Sequence, residues 1–326
     1  SAGLSPVTMY RLLEKRGRDL RQVNLKVVAR QFSDAELGDL QLLFNLSWMG
    51  FAAQAEHEGL RALRDKGRDF TCDDMAYVAA TQREILRQIV PRYRKLSERG
   101  QVELSATPYY HPILPLVCDT DAAQRAMPHV ILPRRFSYPD DARWHVRAAA
   151  DGHAERFGAK PRGMWPAEGS VSPESLDILA SEGLQWAATD EAVLLRSLPG
   201  QPARADVIYR PWIAQAGDRE IRMLFRDREL SDLIGFTYSK NRADAAVDDL
   251  IARLHAIAKA KGPHASAERT VGIFLDGENP WESFTNSGRD FLETLYRRLE
   301  KDPQLRTAPM TEATSGAADR IEHDQE

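Results

Sequence analysis

After Gly100 the sequence alternates between short apolar or β-prone runs and amphipathic stretches with helical spacing. The apolar runs are Val102–Thr107, Arg162–Pro166, Gln185–Thr189, Arg222–Phe225 and Val271–Leu275. The clearest amphipathic stretch is Asp244–Lys259, whose apolar residues recur on one stripe. Strands that alternate with helices predict an α/β fold with a parallel sheet, either closed as a barrel or open and doubly wound.

The parts of the chain outside this alternation have a different character. Asp39–Met49 is densely apolar and predicts a buried helix. Asp73–Val90 carries apolar residues near a 3.6-residue period, and Pro91 is predicted to end that helix. At the other end, Thr307–Glu326 is polar and lacks periodicity, which predicts a loose tail.

Composition excludes several classes of protein. The 326 residues include 44 Lys and Arg against 48 Asp and Glu, with no basic stripe that would favour nucleic acid binding. No apolar run approaches the roughly 18 residues of a membrane-spanning helix. Cys72 and Cys118 cannot build a disulfide framework, so a reducing compartment is the default. We therefore expect a cytoplasmic location, and a signal peptide upstream of Ser1 stays an open alternative.

Motifs for metals and phosphate groups are also absent from the sequence. The eight histidines are scattered, without the HxxxH or HxH spacing of a zinc site. GxGxxG and GxxxxGK[ST] loops do not occur, and neither does the GxSxG elbow of serine hydrolases. These absences disfavour a zinc site, a phosphate-binding loop and a serine hydrolase.

Polar and aromatic side chains follow each of the predicted strands. Such clusters at the carboxyl ends of parallel strands are typical of an α/β-barrel active site. The candidates are Tyr109, Tyr110, His111, Trp165, Glu168, Asp190, Glu191, Asp227, Asp276, Glu278 and Trp281. Two carboxylates among Trp, Tyr and His residues are typical of a glycoside hydrolase active site. There one carboxylate attacks the sugar or activates a water molecule, and the other donates a proton to the leaving oxygen.

Each candidate also has a purely structural interpretation. Glu168 precedes a helix start, but Ser172 is the better N-cap, which favours a functional role for Glu168. Asp227 is equally compatible with an Arg–Asp surface pair. His111 could be a packed turn histidine, and the loop of Asp276 could simply begin a helix at Asn279.

Several of these segments resemble glycoside hydrolase family 57, most closely its amylopullulanase-type branch. The resemblance covers about residues 1–300. The segments that carry it are DLQLLFNLSW (39–48), ELSATPYYHPILPL (103–116), GMWPAEGSV (163–171), FRDRELSDLIGF (225–236) and LDGENPWE (275–282).

The resemblance implies an incomplete (β/α)7 barrel with packed helices, in a catalytic domain over residues 1–305 followed by a polar tail at 306–326. It implies a retaining mechanism on α-1,4 or α-1,6 bonds of α-glucans. Glu168 matches the nucleophile and Asp227 the general acid/base. Such carboxyl groups lie roughly 5–5.5 Å apart.

The remaining family positions imply a substrate-binding cleft and neither a redox cofactor nor a metal. His111 matches a sugar-contacting position, where the neighbouring tyrosines suit stacking on sugar rings. Trp165 lies beside the nucleophile. The last motif lines the family's cleft and supplies Asp276, Glu278 and Trp281.

One departure separates the chain from this family. The family opens with a strand that carries His-Gln-Pro, which does not occur here, so the chain is expected to begin near the second strand and to have weak activity or none. Three alternatives stay open: an α-glucan transglycosylase of the 4-α-glucanotransferase or branching type, a catalytically impaired glucan-binding fragment, and a metal-dependent barrel enzyme. The sequence leaves the oligomeric state undetermined.

Overall fold

The computed structural model describes residues 24–200, 202–260, 268–277, 279–316 and 318–321. The strands are β1 (Gly163–Met164), β2 (Trp186–Asp190), β3 (Trp212–Ala216), β4 (Arg219–Arg226) and β5 (Asp319–Ile321). The α-helices are α1 (Leu25–Ala29), α2 (Asp34–Ser47), α3 (Phe51–Glu56), α4 (Glu58–Lys66), α5 (Cys72–Glu98), α6 (Leu114–Cys118), α7 (Ala122–Ala126), α8 (Pro139–Phe157), α9 (Pro173–Ser181), α10 (Glu191–Ser197), α11 (Arg204–Val207), α12 (Arg228–Asp232), α13 (Ala243–Lys259), α14 (Asn279–Glu282), α15 (Arg289–Lys301) and α16 (Met310–Thr314).

The chain divides into two compact units, residues 1–92 and 93–326. The described part of the first unit is helical, and its buried core comprises Leu42, Leu43, Leu46, Met49, Leu60, Leu63 and Val78. Asp39 is also buried here, and the cost of burying its carboxylate is offset because both of its oxygens accept hydrogen bonds from the backbone N–H groups of Asp69 and Phe70. The helix predicted over Asp39–Met49 is present as α2, but it runs from Asp34 to Ser47. It is buried on one face only, since Phe44 and Trp48 are exposed.

Pro91 does not end its helix, contrary to the sequence prediction. Helix α5 continues for seven more residues, to Glu98. Proline removes one helical hydrogen bond and crowds the preceding turn, but the residues that follow it here are mostly good helix formers. The last turns are also anchored, because the Arg94 guanidinium donates to the carbonyl of Arg156.

The second unit contains a mixed five-stranded sheet in the order β1-β2-β4-β3-β5. Strands β1, β2 and β4 are parallel neighbours, β3 runs antiparallel to β4, and β5 is parallel to β3. Single parallel bridges join Ala106 to Met164 and Gly272 to Arg226. All five predicted runs therefore lie in parallel register, which confirms an α/β fold, whereas β3 and β5 were not predicted.

The segment predicted as a loose tail carries α16 and the edge strand β5. Three tertiary contacts order it. The Glu103 carboxylate accepts hydrogen bonds from the backbone N–H and the hydroxyl of Thr311, at 2.7 and 2.6 Å. Arg222 donates to the carbonyls of Thr314 and Gly316. Ile321 is buried against the main core of the unit.

Two apolar clusters support the second unit. The main one lies between the sheet and its helices and includes Met164, Leu179, Ala187, Leu194 and Ile221. The other packs α13 against α15 and includes Tyr238, Val247, Leu250 and Phe291. Helix α13 confirms the helix predicted over Asp244–Lys259. Across the described ranges, no helix combines the length and the apolar content needed to cross a membrane.

Candidate active site

The carboxyl ends of the parallel segments meet at one edge of the sheet, where they surround an open cleft of about 420 Å³. The bridge at Ala106 brings the following turn beside the end of β1, and the bridge at Gly272 does the same for Asp276 at the end of β4. The polar and aromatic lining comprises Thr107, His111, Trp165, Glu168, Asp190, Arg226 and Asp276.

Glu168 lies in a short 3₁₀ turn after β1, in a left-handed backbone conformation (φ +56°). Its side chain is 73% exposed, so it faces the cleft. The helix that follows is capped by Ser172, whose hydroxyl accepts from the N–H of Ser175, as the sequence predicted. Glu168 therefore has no capping role, and a non-glycine residue at positive φ is strained in the way often seen at functional sites.

His111 contacts Glu168 directly. The distance from His111 Nε2 to Glu168 Oε1 is 3.2 Å, and the distance from Thr107 Oγ1 to His111 Nδ1 is 3.4 Å. With the ring proton on Nε2, the imidazole donates to the Glu168 carboxylate and accepts from the Thr107 hydroxyl. Two residues of one turn thus orient the carboxylate.

The indole of Trp165 contributes an aromatic surface to the cleft. Trp165 stacks on Phe274, with ring centroids 5.1 Å apart and planes 22° from parallel. Gly169 has a φ of +66°, and a Cβ there would lie 3.1 Å from the Trp165 ring. Glycine at this position therefore allows the indole to pack closely beside the Glu168 turn.

Asp227 lies in the protein interior rather than in the cleft, and only 1% of its surface is exposed. Its Oδ1 accepts from the Leu230 N–H at 2.9 Å, as the N-cap of α12, and pairs with Arg204 Nη2 at 2.8 Å. Its Oδ2 accepts from the Tyr209 hydroxyl at 2.9 Å. Both oxygens are thus held by groups of the protein.

The cation in this buried network is Arg204. Its guanidinium binds Glu191 in a bidentate manner, at 2.8 and 2.6 Å, as well as Asp227. Burial disfavours the charged guanidinium, but the hydrogen bonds with Glu191 and the nearby negative charges raise the pKa of Arg204 above its ordinary value. Burial, reinforced by the Asp227 charge, raises the pKa of Tyr209 to about 12.

The other predicted site residues fall in different places. Asp276 lines the cleft. Tyr109 and Tyr110 line a neighbouring groove instead. Trp281 packs against Phe284 in the α13–α15 cluster, and its indole N–H donates to the Gly277 carbonyl. Glu278 lies outside the described residues.

Two further cleft residues stand at predicted strand ends, but the sequence alone assigned neither of them a role. Asp190 caps α10 through the Ala192 N–H and pairs with Arg228 at 2.6 Å. Arg226 donates to the Phe274 carbonyl and pairs with Asp232 at 2.6 Å. Arg226 Nη1 lies 3.7 Å from Asp190 Oδ2, so the two carry opposite charges into the same wall. Their strand-end positions were the available signal.

In the described ranges, no cluster of three or more His, Cys, Asp or Glu side chains has a ligand-like arrangement. The chemistry available at the cleft is that of an exposed carboxylate, an imidazole that orients it, further carboxylates and an arginine.

Comparisons with known proteins point to one family. Residues 8–324 match the family described as glycosyl hydrolase family 57. A stretch of 97 residues is 28% identical to α-amylase 1 of Dictyoglomus thermophilum and covers 30% of this chain and 11% of that protein. The chain therefore matches only about a tenth of this curated relative's length.

Solved structures share the fold. The 4-α-glucanotransferase of Thermococcus litoralis matches with a TM-score of 0.55 and 17% identity, over 75% of this chain and 33% of that one. The α-amylase AmyC of Thermotoga maritima matches with a TM-score of 0.62 and 13% identity, over 98% of this chain and 70% of that one. The family match spans nearly the whole chain, and on that basis this protein belongs to glycosyl hydrolase family 57.

Proposed function

We propose that this chain carries the active site of a retaining glycoside hydrolase that acts on α-1,4 or α-1,6 bonds of α-glucans. The observation that carries the proposal is Glu168, an exposed carboxylate oriented by His111 in an open cleft. Its position at the carboxyl edge of parallel strands fits an active site on an incomplete (β/α)7 barrel, the architecture that we infer for the complete site.

In this mechanism the Glu168 carboxylate attacks the anomeric carbon of the bound glucosyl unit. The acid/base group protonates the departing oxygen, and it then removes a proton from the water that hydrolyses the glycosyl-enzyme. The hydrogen bond from His111 restricts the carboxylate to one face of the cleft. Trp165 supplies an apolar ring against which a sugar face can pack.

Asp227 is our candidate for the acid/base because it matches the family motif. To act, its carboxyl group must reach the cleft, and the hydrogen bonds from Tyr209 and Arg204 must be exchanged for contacts with substrate. Asp190 is the second candidate, because it already lines the cleft and its side chain is 25% exposed.

The first experiment measures release of reducing ends from soluble starch and from pullulan. Glu168→Gln should reduce release to background. Glu174→Gln is the matched control, because Glu174 lies on α9 in a half-exposed pair with Arg125. Equal activity of Glu168→Gln and the parent chain would overturn the proposal. If the folded parent binds glucan but releases no sugar, the glucan-binding alternative is favoured.

The second experiment separates Asp227 from Asp190 as the acid/base. Loss of general acid catalysis costs about 10²–10⁴-fold in rate, and an activated leaving group such as fluoride needs no proton. The acid/base variant, Asp227→Asn or Asp190→Asn, should therefore lose most of its activity on starch and retain more on α-maltosyl fluoride. A variant that loses both activities equally does not identify the acid.

Transfer to another sugar is the remaining alternative, because an acceptor hydroxyl can replace water at the glycosyl-enzyme. Chromatography of the products from maltoheptaose distinguishes the two outcomes. Hydrolysis gives only shorter chains, whereas products longer than the substrate would establish a transglycosylase.

A further inference from the structure

A cluster of exposed aromatic rings lies next to His111, which itself lines the cleft. Tyr110 is 80% exposed and Trp144, on α8, is 51% exposed. Their ring planes lie 29° from parallel with centroids 6.2 Å apart, and Tyr109 packs edge-on against both. We call the Tyr110–Trp144 pair the aromatic platform.

The platform is held in place by a constrained turn. Tyr110 and His111 both have a φ of +57°, a conformation that is costly for residues with a side chain. The turn is joined to α8 beside Trp144, because the Tyr109 N–H donates to the His145 carbonyl and His145 Nδ1 lies 2.5 Å from the Tyr109 carbonyl. Burial does not explain this strain at Tyr110, whose ring is mostly in water.

Tyr110, one ring of the platform, lines a groove that adjoins the cleft. A mainly apolar groove of about 410 Å³ runs between the turn and α8, and His111 lines both this groove and the cleft. Consecutive residues of one turn thus contact two different sites. His111 contacts Glu168 in the cleft, and the ring of Tyr110 stacks on that of Trp144. A glucan chain that leaves the cleft past His111 therefore enters the groove that Tyr110 lines.

The geometry points to a glucan-binding subsite: we propose that Tyr110 and Trp144 bind glucosyl units of a long α-glucan beyond those held in the cleft. This inference rests on the proposed function. The C–H groups of a pyranose face form an apolar surface that packs on an aromatic face, and tyrosine and tryptophan lose little conformational entropy on binding. The platform therefore adds affinity only for chains long enough to span both places.

Binding to the Glu168→Gln chain tests the proposal without turnover. Titration calorimetry with maltoheptaose and with maltotriose gives the two affinities. Trp144→Ala and Tyr110→Ala should each weaken maltoheptaose binding about tenfold, the scale of one aromatic contact, and leave maltotriose binding unchanged. Trp144→Phe should restore most of the affinity because it keeps a flat ring. Tyr296→Ala is the control, since Tyr296 is a 63% exposed tyrosine on α15.

The outcomes are distinct for the two proposals. If both alanine variants bind maltoheptaose as tightly as their parent, the platform proposal is overturned and the proposed function stands. Equal weakening for maltotriose would place these rings in the cleft itself and also overturn the platform. If the Glu168→Gln chain binds neither oligosaccharide and the parent releases no sugar, the proposed function fails together with the platform. Circular dichroism confirms that each variant is folded.

Discussion

Two carboxylates of the second unit, those of Glu191 and Asp227, share the single guanidinium of Arg204. The three side chains are 12%, 2% and 32% exposed, so the two anions are the more deeply buried members. Breaking a buried ion pair by removing one partner is costly because the other charge stays behind without compensation. Arg204 is therefore a structural requirement for the end of β4, whatever role Asp227 has in catalysis.

Arg204→Leu should lower the free energy of unfolding by about 3–5 kcal/mol, because it leaves Glu191 and Asp227 as buried anions. Urea denaturation measures this change. Arg125→Leu is the matched control: it breaks the half-exposed pair with Glu174 and should cost at most about 1 kcal/mol. Similar losses in the two variants would contradict the network described above.

Tyr209 makes stability depend on pH in the alkaline range. Its pKa in the folded protein is about 12, above the ordinary value of 10, so the folded state holds this proton more tightly than the unfolded state. The contribution is complete below pH 10 and is lost as pH rises towards 12. The pKa of Tyr238 is raised in the same direction, first by burial and then by its hydrogen bond to Asp249.

Between pH 10 and 12, the stability of Tyr209→Phe should therefore fall less than that of the parent. Urea midpoints measured across that interval check the difference in slope. Tyr296→Phe, at an exposed position, should leave the slope of the parent unchanged. A parallel slope for Tyr209→Phe would show that this phenol keeps its ordinary titration in the folded state.

At the residue scale, the sequence indicated which polar residues belong to the candidate site, but not which side chains contact them in the folded protein. Glu168 was identifiable because Ser172 already supplied the cap. The burial of Asp227 was not, because its partners Arg204 and Tyr209 lie outside the motif and approach it only through tertiary packing. Short-range patterns carry no information about such pairs.

Among the elements, the segment from α16 to β5 shows how few contacts order a polar stretch. Glu103 is its main anchor, because one carboxylate accepts from Thr311 twice and from the Trp186 indole N–H at 2.9 Å. Strand β5 then adds a short parallel ladder beside β3. The docking of this segment should therefore be sensitive to a single side chain.

Glu103→Ala should destabilise the second unit by about 3 kcal/mol, since three donor groups on Thr311 and Trp186 lose a charged acceptor. Hydrogen–deuterium exchange should accelerate first in Thr311–Ile321. Glu300→Ala, at an exposed position on α15, should change stability by about 0.5 kcal/mol or less. If exchange rises uniformly across the unit instead, Glu103 is not a specific anchor of this segment.

Element prediction succeeded where local pattern and tertiary environment agreed. The five apolar runs lie in parallel register, and α13 follows its apolar stripe. The sequence did not predict β3, whose five residues pair with β4 through a two-residue turn that begins at Gly217. It failed also for β5, three residues long and partly charged, because such a strand depends on its neighbour rather than on its own composition.

At the scale of the whole molecule, the boundary between the two units falls within the sequence of α5, where composition gives no sign of it. The predicted division at residue 305 stays a prediction. Each unit contains one cysteine, and the two differ in environment. Cys72 is exposed, whereas Cys118 is 5% exposed in the core of the second unit, where burial raises its pKa to about 11.

These thiols report on unfolding of the second unit. Because the thiolate is the reactive form, a thiol reagent at pH 8 should modify Cys72 quickly and Cys118 only when the second unit opens. In the Cys72→Ser variant, the remaining labelling rate should rise with urea in parallel with unfolding measured by circular dichroism. Rapid labelling of that variant in native buffer would contradict the placement of Cys118.

The paired left-handed residues Tyr110 and His111 have a consequence for protein engineering. Glycine adopts such angles without steric cost, so His111→Gly would relieve strain while it deletes the group that orients Glu168. Selection for thermal stability would therefore favour glycine at position 111, whereas selection for catalytic turnover would favour histidine. A variant library screened only for melting temperature should drift towards more durable and less active proteins at this turn.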